Sequence, residues 1–263
     1  MTLPPNARAG DLTLEPCKYK TKTRTHRAEC GTLIVPENRL SPSPRLIALP
    51  VKRIHADSDS PLEPIVYFGG GPGMSNMRFD PPDELLANHD VLLIGYRGVD
   101  GSSVLDCPEY AKATLGDGRD IFSDESLAMM TEAIRACRAR LEASGVDLSA
   151  YTIPAVVEDV EAARVALGNE KVNLLSESYG TRVAQIYAAL HPESLNRSAM
   201  IGVNPSGRFV WEPAMVDAQI EQYSRLWSMD DAVRKRSSNL IESRRDHAER
   251  FSQHAARLVV LSH

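Results

Sequence analysis

The stretch Leu174-Leu175-Ser176-Glu177-Ser178-Tyr179-Gly180-Thr181, LLSESYGT, runs from an apolar, strand-like segment into a tight turn carrying two serines, and then into helical sequence. An apolar run that ends in small residues and passes at once into helical periodicity predicts a strand-to-helix corner at Ser178. Such a corner exposes the serine hydroxyl, and the N-terminus of the helix behind it favours developing negative charge. Strand and helix backbones nearly collide there, so small residues are needed two positions before and two after. Ser176 and Gly180 meet that need, with serine where glycine is usual. Ser178 is therefore the candidate nucleophile.

Outward from this corner, short β-branched runs alternate with helical patterns, the mark of a sheet covered by helices. Gly31 to Val35 and Leu46 to Ile54 flank the Pro/Ser-rich turn LSPSPR and predict an antiparallel pair. Pro64 to Phe68 and Val91 to Gly95 are apolar on both faces and lead into glycine, as strands inside a mixed or parallel sheet do. Lys171 to Leu175 and Ala199 to Val203 predict two more strands. One helix starts at Ser123, Asp124 and Glu125, turns Leu127, Met130, Ile134, Cys137 and Leu141 to one face, and ends at Gly145. A second has Pro154 in its first turn, Val156, Val160, Ala163 and Leu167 inward, and Gly168 at its end. The third follows Ser178, buries Val183, Ile186, Tyr187 and Leu190, and stops before Pro192. From Gly207 onward the pattern is amphipathic helix without strands. This predicts a core over residues 1–206 and a helical cap, or the beginning of one, over 207–263. The basic cluster Arg234, Lys235, Arg236, Arg244 and Arg245 in that segment reads as solvated helix surface.

A chain of 263 residues, 43% hydrophobic and 25% charged, has an ordinary globular composition. Its net charge of −5 gives no reason to expect nucleic acid or an anionic membrane as partner. No apolar run approaches the roughly 20 residues that span a bilayer. The opening MTLPPNARAGDLTLEPC lacks the charged-then-apolar pattern of a secretory signal. Cys17, Cys30, Cys107 and Cys137 are too irregularly spaced for a zinc site and have no histidine at ligand spacing, so no metal is expected. Their two sequence-local pairs suit disulfides and a secreted or periplasmic location. Four buried thiols in a cytoplasmic protein are the alternative.

Upstream, Tyr67 to Gly73, YFGGGPG, again leaves a strand and enters a glycine-rich loop whose backbone N–H groups can turn toward an oxyanion. A flexible turn is the plainer reading. A phosphate-binding loop fits worse, because no Gly-Lys-Ser/Thr follows. On adjacent strands, the N–H groups of Gly71 and Tyr179 would flank the Ser178 hydroxyl and outline an oxyanion hole.

With these segments in order, the chain resembles the α/β-hydrolase fold and, within it, the prolyl and tripeptidyl aminopeptidase family. GGGPG resembles that family's His-Gly-Gly-Pro-Gly loop, with Gly69 in the histidine position. GYRGVDGSS, Gly95 to Ser103, resembles its Asp-x-Arg-Gly-x-Gly-x-Ser segment, with Gly95 where aspartate is common and Asp100 interrupting the glycines. SESYGT resembles its elbow, and the match runs roughly from Cys17 to Gly207. The resemblance implies a mostly parallel sheet with helices on both faces and hydrolysis of peptides from the N-terminus or of small esters. Ser, Asp and His would act in that chain order, without a cofactor. Ser178 would attack the carbonyl while Gly71 and Tyr179 hold the oxyanion.

In this fold the acid and histidine follow two later strands, and none is visible before His263. The chain therefore reads as the N-terminal part of a larger hydrolase, or a shortened one, lacking the C-terminal strands and open to self-association through an uncovered sheet edge. His191, His247, His254 and His263 each read more readily as surface residues than as the base, and Asn204, after the strand ending at Val203, cannot serve as a carboxylate. Glu177 could bind a substrate amine, but reads more readily as turned back under the sheet toward Arg or backbone partners. Glu158 and Asp159 read as surface or elbow-supporting. Three functions fit: an aminopeptidase-like serine hydrolase, a carboxylesterase on small acyl esters, or a truncated chain with little activity.

The cysteine spacing predicts bonds between Cys17 and Cys30 and between Cys107 and Cys137, each worth about 3 kcal/mol in the chain-entropy model. Thiol titration of the denatured protein without reductant is expected to find no free thiol; four would refute both bonds.

Overall fold

A computed structural model describes residues 3–114, 120, 121, 123–207 and 212–227 of the chain. It contains, in order, β1 (Leu12–Lys20), β2 (Thr25–Pro36), β3 (Leu46–Ile54), β4 (Leu62–Phe68), α1 (Asp83–Leu86), β5 (His89–Ile94), α2 (Pro108–Thr114), α3 (Asp124–Ala143), α4 (Ile153–Ala166), β6 (Val172–Glu177), α5 (Tyr179–Leu190), β7 (Leu195–Ile201) and α6 (Pro213–Trp227). The chain divides into two compact units. One comprises Met1–Asp106 with Ala139–Gly207, the other Cys107–Arg138 with Arg208–His263.

The first unit is built on a seven-stranded sheet in the order β1-β2-β3-β5-β4-β6-β7. β1, β2, β3 and β5 pair antiparallel in turn, whereas β5, β4, β6 and β7 pair parallel. β2, β4, β5, β6 and β7 thus run one way and β1 and β3 the other, the mostly parallel α/β sheet expected from the sequence. β4 lies beside β6, with Phe68 opposite Ser176.

The pattern of β4 explains the position of the core. Val66 and Phe68 face α4 and α5, where they join Leu92, Ile94, Leu174, Val156, Val157, Val160, Ala163, Val183 and Tyr187. Ile65 and Tyr67 face the other way, with Val91, Leu93, Met77 and Leu86, under α1 and the segment before it. Because successive side chains alternate across the sheet, a strand covered on both sides must be apolar throughout. Thr152 caps α4, its hydroxyl accepting from Ala155 N at 3.3 Å. Gly168 follows that helix at φ +72°, a left-handed position suited to glycine.

Several expectations need correction. β1 was not anticipated, because it is an edge strand carrying Pro16 and alternating exposed residues that dilute its periodicity. β7 begins at Leu195 rather than Ala199 and ends at Ile201. Its first turn of sequence is polar because this edge is largely exposed. Ile134 and Leu190, expected to face inward, are 53% and 48% exposed. The anchored part of α3 is its C-terminal half, where Cys137 and Leu141 are buried. Both expected disulfides are present: Cys17–Cys30 joins β1 to β2, and Cys107–Cys137 joins α3 to the residue preceding α2, with Cα separations of 5.8 and 5.4 Å.

Asp159, read as a surface or elbow-supporting residue, is not at the surface, being only 1% exposed. Arg97, just after β5, donates through Nε and Nη2 to its two carboxylate oxygens at 2.7 Å each. The same guanidinium donates to the carbonyls of Glu37 at 2.6 Å and Ala150 at 2.8 Å, and Arg39 adds a bond to Asp159 at 2.7 Å. This fork-to-fork pair ties α4 to the ends of β2 and β5. Nearby, burial works to raise the carboxyl of Glu37, but hydrogen bonds from Arg45 and Tyr151 and the Arg45 charge outweigh it and hold Glu37 below the usual carboxylate range.

Asp159→Ala strands a buried guanidinium and is expected to lower the unfolding free energy by about 3–5 kcal/mol in denaturant titration; a loss below about 1 kcal/mol would refute the pair's role. Since the folded-state pKa of Glu37 is depressed, its stabilisation is present above the unfolded carboxylate pKa and is lost as pH falls below that value. Glu37→Gln should therefore flatten the acid limb of stability against pH; an unchanged limb would contradict this.

Candidate active site

Ser178 sits between β6 and α5 with φ 48° and ψ −119°. Among the described residues only Asn6 shares a positive φ without being glycine. A side chain in such a conformation costs on the order of 1–3 kcal/mol and persists only where its surroundings over-determine it. They do so here. The Ser178 N–H donates to Ile201 O of β7 at 2.9 Å, and its carbonyl accepts from the Thr181 N–H at 3.0 Å and the Thr181 hydroxyl at 2.7 Å. Thr181 is fully buried, and its hydroxyl accepts from Asn204 N at 2.8 Å. A Cβ on Gly180 would lie 2.2 Å from Phe68 O, so glycine alone allows α5 this close to β4. Ser176 is also fully buried, and its hydroxyl donates to Ala199 O at 3.3 Å, which accommodates serine where glycine is usual. The Ser178 side chain is exposed.

The glycine loop leaves β4 beside this corner. The Gly69 N–H donates to Asn76 Oδ1 at 2.8 Å, and Asn76 Nδ2 donates to the carbonyls of Tyr67 at 3.0 Å and Ile94 at 2.9 Å. Asn76, 1% exposed, thereby staples the ends of β4 and β5 and fixes where the loop begins. A Cβ on Gly70 would lie 3.0 Å from Ser178 Cβ and 3.6 Å from its Oγ, so the loop touches Ser178 here. Gly71 follows at φ +77°, against Met74. Tyr179, as the first residue of α5, has an N–H with no acceptor inside the helix. The fold thus gathers Ser178, Tyr179 and the loop bearing Gly71 at the carboxyl ends of two adjacent parallel strands. Gly70 and Asn76 escaped the sequence reading: the glycine run holds three equivalent candidates, and an asparagine eight residues beyond a strand carries no local signal.

The two departures in GYRGVDGSS lie against each other in the structure. A Cβ on Gly95 would lie 2.7 Å from both the Pro50 ring and Asp100 Cβ. Asp100 occupies that space. Its carboxylate accepts from the Ser75 hydroxyl at 2.6 Å, Asn76 N at 3.1 Å and Tyr96 N at 2.9 Å, bracing the glycine loop from below.

Glu177 does not turn to an arginine or to backbone. Its Oε1 accepts a hydrogen bond from the Tyr67 hydroxyl, and the Tyr67 ring stacks on Phe79 with centroids 3.9 Å apart. Burial, and then Glu177, push the Tyr67 phenol up, so it remains a proton donor. The Tyr96 ring meets Tyr179 edge-on at 6.4 Å, and burial raises both phenols.

The other candidates lie elsewhere or are engaged. Asn204 accepts from Arg182 Nη2 at 2.6 Å and latches the end of β7 to α5. His191 follows α5 and pairs with Glu158 at 3.0 Å. His26, His55 and His89 lie at the opposite end of the strands from Ser178, near Ala28, Ile54 and Val91, which share one level of the strand register. His247, His254, His263 and the basic cluster from Arg234 to Arg245 fall outside the described residues. Among the described residues no three metal-ligating side chains cluster, and no helix is long and apolar enough to cross a membrane.

A model of the alpha/beta hydrolase fold matches residues 63–259. Over 219 residues the chain is 30% identical to tripeptidyl aminopeptidases of Streptomyces lividans and Streptomyces coelicolor, covering 78% of this chain and 41% and 40% of theirs. It therefore spans about two fifths of the length of these relatives. Among solved structures it is similar to a proline iminopeptidase-related protein of Thermus thermophilus, with 17% identity, a TM-score of 0.39, and 78% of this chain and 55% of the other covered. With the family match extending over most of its length, and a mostly parallel sheet carrying a serine corner between β6 and α5, the chain belongs to the alpha/beta hydrolase fold family.

Proposed function

We propose that this chain carries the nucleophile of a serine hydrolase acting on peptide bonds in the manner of an aminopeptidase. Ser178 Oγ attacks the substrate carbonyl, and the backbone N–H groups of Gly71 and Tyr179 receive the oxyanion of the tetrahedral intermediate. The leaving amine departs as the acyl group transfers to serine, and water then hydrolyses the acyl-enzyme. The observation that carries this reading is the backbone of Ser178, held at φ 48° by buried hydrogen bonds while its hydroxyl stays exposed beside Gly70. Similarity to the two Streptomyces tripeptidyl aminopeptidases favours peptides over esters. The two disulfides suit a secreted or periplasmic protein.

A serine hydroxyl needs a base. His191 lies about 20 Å along α5 from Ser178 at 1.5 Å per residue, too far for direct proton transfer. The base is therefore sought outside the described residues; from the described residues alone we expect acyl compounds to bind at Ser178 and to turn over slowly.

Hydrolysis of p-nitrophenyl acetate and alanine p-nitroanilide tests this. The expected result is slow turnover removed by Ser178→Ala; with a complete triad the loss would be on the order of a million-fold. Turnover that survives Ser178→Ala overturns the nucleophile. Fast turnover lost in both Ser178→Ala and one of His247→Ala, His254→Ala or His263→Ala instead overturns the slow-turnover reading and names the base. The strained backbone gives an independent check: Ser178→Gly should be about 1 kcal/mol more stable than Ser178→Ala in denaturant titration. Equal stabilities would argue against the strain.

A further inference from the structure

Between Lys18 and Arg27, across the turn that joins β1 to β2, five of ten residues are lysine or arginine and none is acidic, in a chain whose net charge is −5. Acidic groups elsewhere answer only part of this charge. Arg24 pairs with Asp57 and, at 3.2 Å, with Asp83, and Lys22 lies 3.6 Å from Asp80. No ion pair or side-chain hydrogen bond with a described residue engages Lys18, Lys20, Arg27 or Arg78. Lys18 stands directly opposite Arg27 in the register of β1 and β2. Like charges so placed destabilise a strand pair, and a bound anion relieves them.

These cations border an open groove of about 640 Å³, whose lining includes Tyr19, Lys20, Lys22, Arg78, Phe79 and Asp80. Its two walls, the end of β1 with the turn after it and residues 78–80, are tied at three points. The Tyr19 hydroxyl donates to Phe79 O at 2.6 Å and accepts from Phe79 N at 3.1 Å, while Lys22 N donates to Asp80 Oδ1 at 2.9 Å. The Phe79 ring is stacked on Tyr67, and Lys52 Nζ lies 5.2 Å from the centre of the Tyr19 ring. The groove is thus held open in a fixed shape, which lowers the ordering cost of binding. None of its residues takes part in the acyl-transfer steps above.

We propose that this groove docks an acidic segment of a separate polypeptide. Its carboxylates meet Lys20 and Arg78, one from each wall, and the planar guanidinium can hold a carboxylate through two parallel hydrogen bonds. Asp80 keeps lone pairs beyond those facing Lys22, and these accept from peptide N–H groups. A fully ionised phosphate or sulfate has no donor to offer Asp80 and is repelled by it, so the mixed lining selects a peptide over a bare anion. The plainer alternative is that Lys18 and Lys20 only guard the edge strand β1 against pairing with other chains. That leaves Arg78, on the opposite wall, without a role.

Binding of fluorescein-labelled hexa-L-glutamate to the full chain, followed by fluorescence anisotropy in about 50 mM salt where screening is weak, tests the proposal. Arg78→Ala and Lys20→Ala should each weaken binding about two- to fivefold, and Lys20→Glu combined with Arg78→Glu should weaken it more than about tenfold. Arg197→Ala removes the same charge from β7, at the other edge of the sheet, and should change binding less than about 1.5-fold. Unlabelled acetyl-hexaglutamate amide should displace the probe at lower concentration than sodium triphosphate. No binding, affinity unchanged in the double variant, or an equal loss in Arg197→Ala would each overturn the site. Stronger displacement by triphosphate would overturn the peptide as its ligand.

Discussion

The close approach of α5 to the end of β4 is the contact on which the site depends. At Gly180 the helix backbone comes so near the Phe68 carbonyl that a methyl group would lie 2.2 Å from it. Since β4 and β6 are also paired with Phe68 opposite Ser176, the chain must leave β6 and enter α5 within a single residue. Ser178 takes the conformational cost of that turn, and its hydroxyl emerges facing the glycine loop, which leaves β4 at the same level.

Around this contact, polar groups in the unit fix where backbone segments end. Asn76 joins β4, β5 and the start of the glycine loop, and Asp100 braces the same loop from beneath Tyr96. Arg97 and Asp159 hold α4 to the ends of β2 and β5. Buried groups of this kind stabilise weakly compared with apolar packing, but they are costly to leave unpaired, so they specify one arrangement of the loops above a largely apolar sheet. Gly95 and Asp100 follow the same logic. Pro50 and Asp100 leave no room for a Cβ at position 95, and the Asp100 carboxylate braces the loop there.

The electrostatics at the serine corner are set by a small number of groups. The N-terminus of α5 favours negative charge at Ser178, while Glu177 adds a full negative charge one residue away. Tyr67 orients that charge without neutralising it, because its buried phenol keeps its proton.

The sequence by itself determined the parts of the molecule governed by local chemistry. Strands covered on both faces, such as β4 and β5, are apolar throughout, helix ends carry caps and glycines, and the serine corner needs small neighbours, so these could be read from residues close in the chain. The disulfide pairs were legible for the same reason, being local in sequence. Only the tertiary structure decided the rest. Edge strands β1 and β7 bury too little to enforce a periodic pattern, and Ile134 and Leu190 continue helical stripes past the buried positions of their helices. Asp159, Asn76 and Glu177 take their roles from partners 62, 9 and 110 residues away along the chain. No property of a residue's sequence neighbours encodes a partner at that distance; folding β4, β5 and β6 side by side brings such groups together.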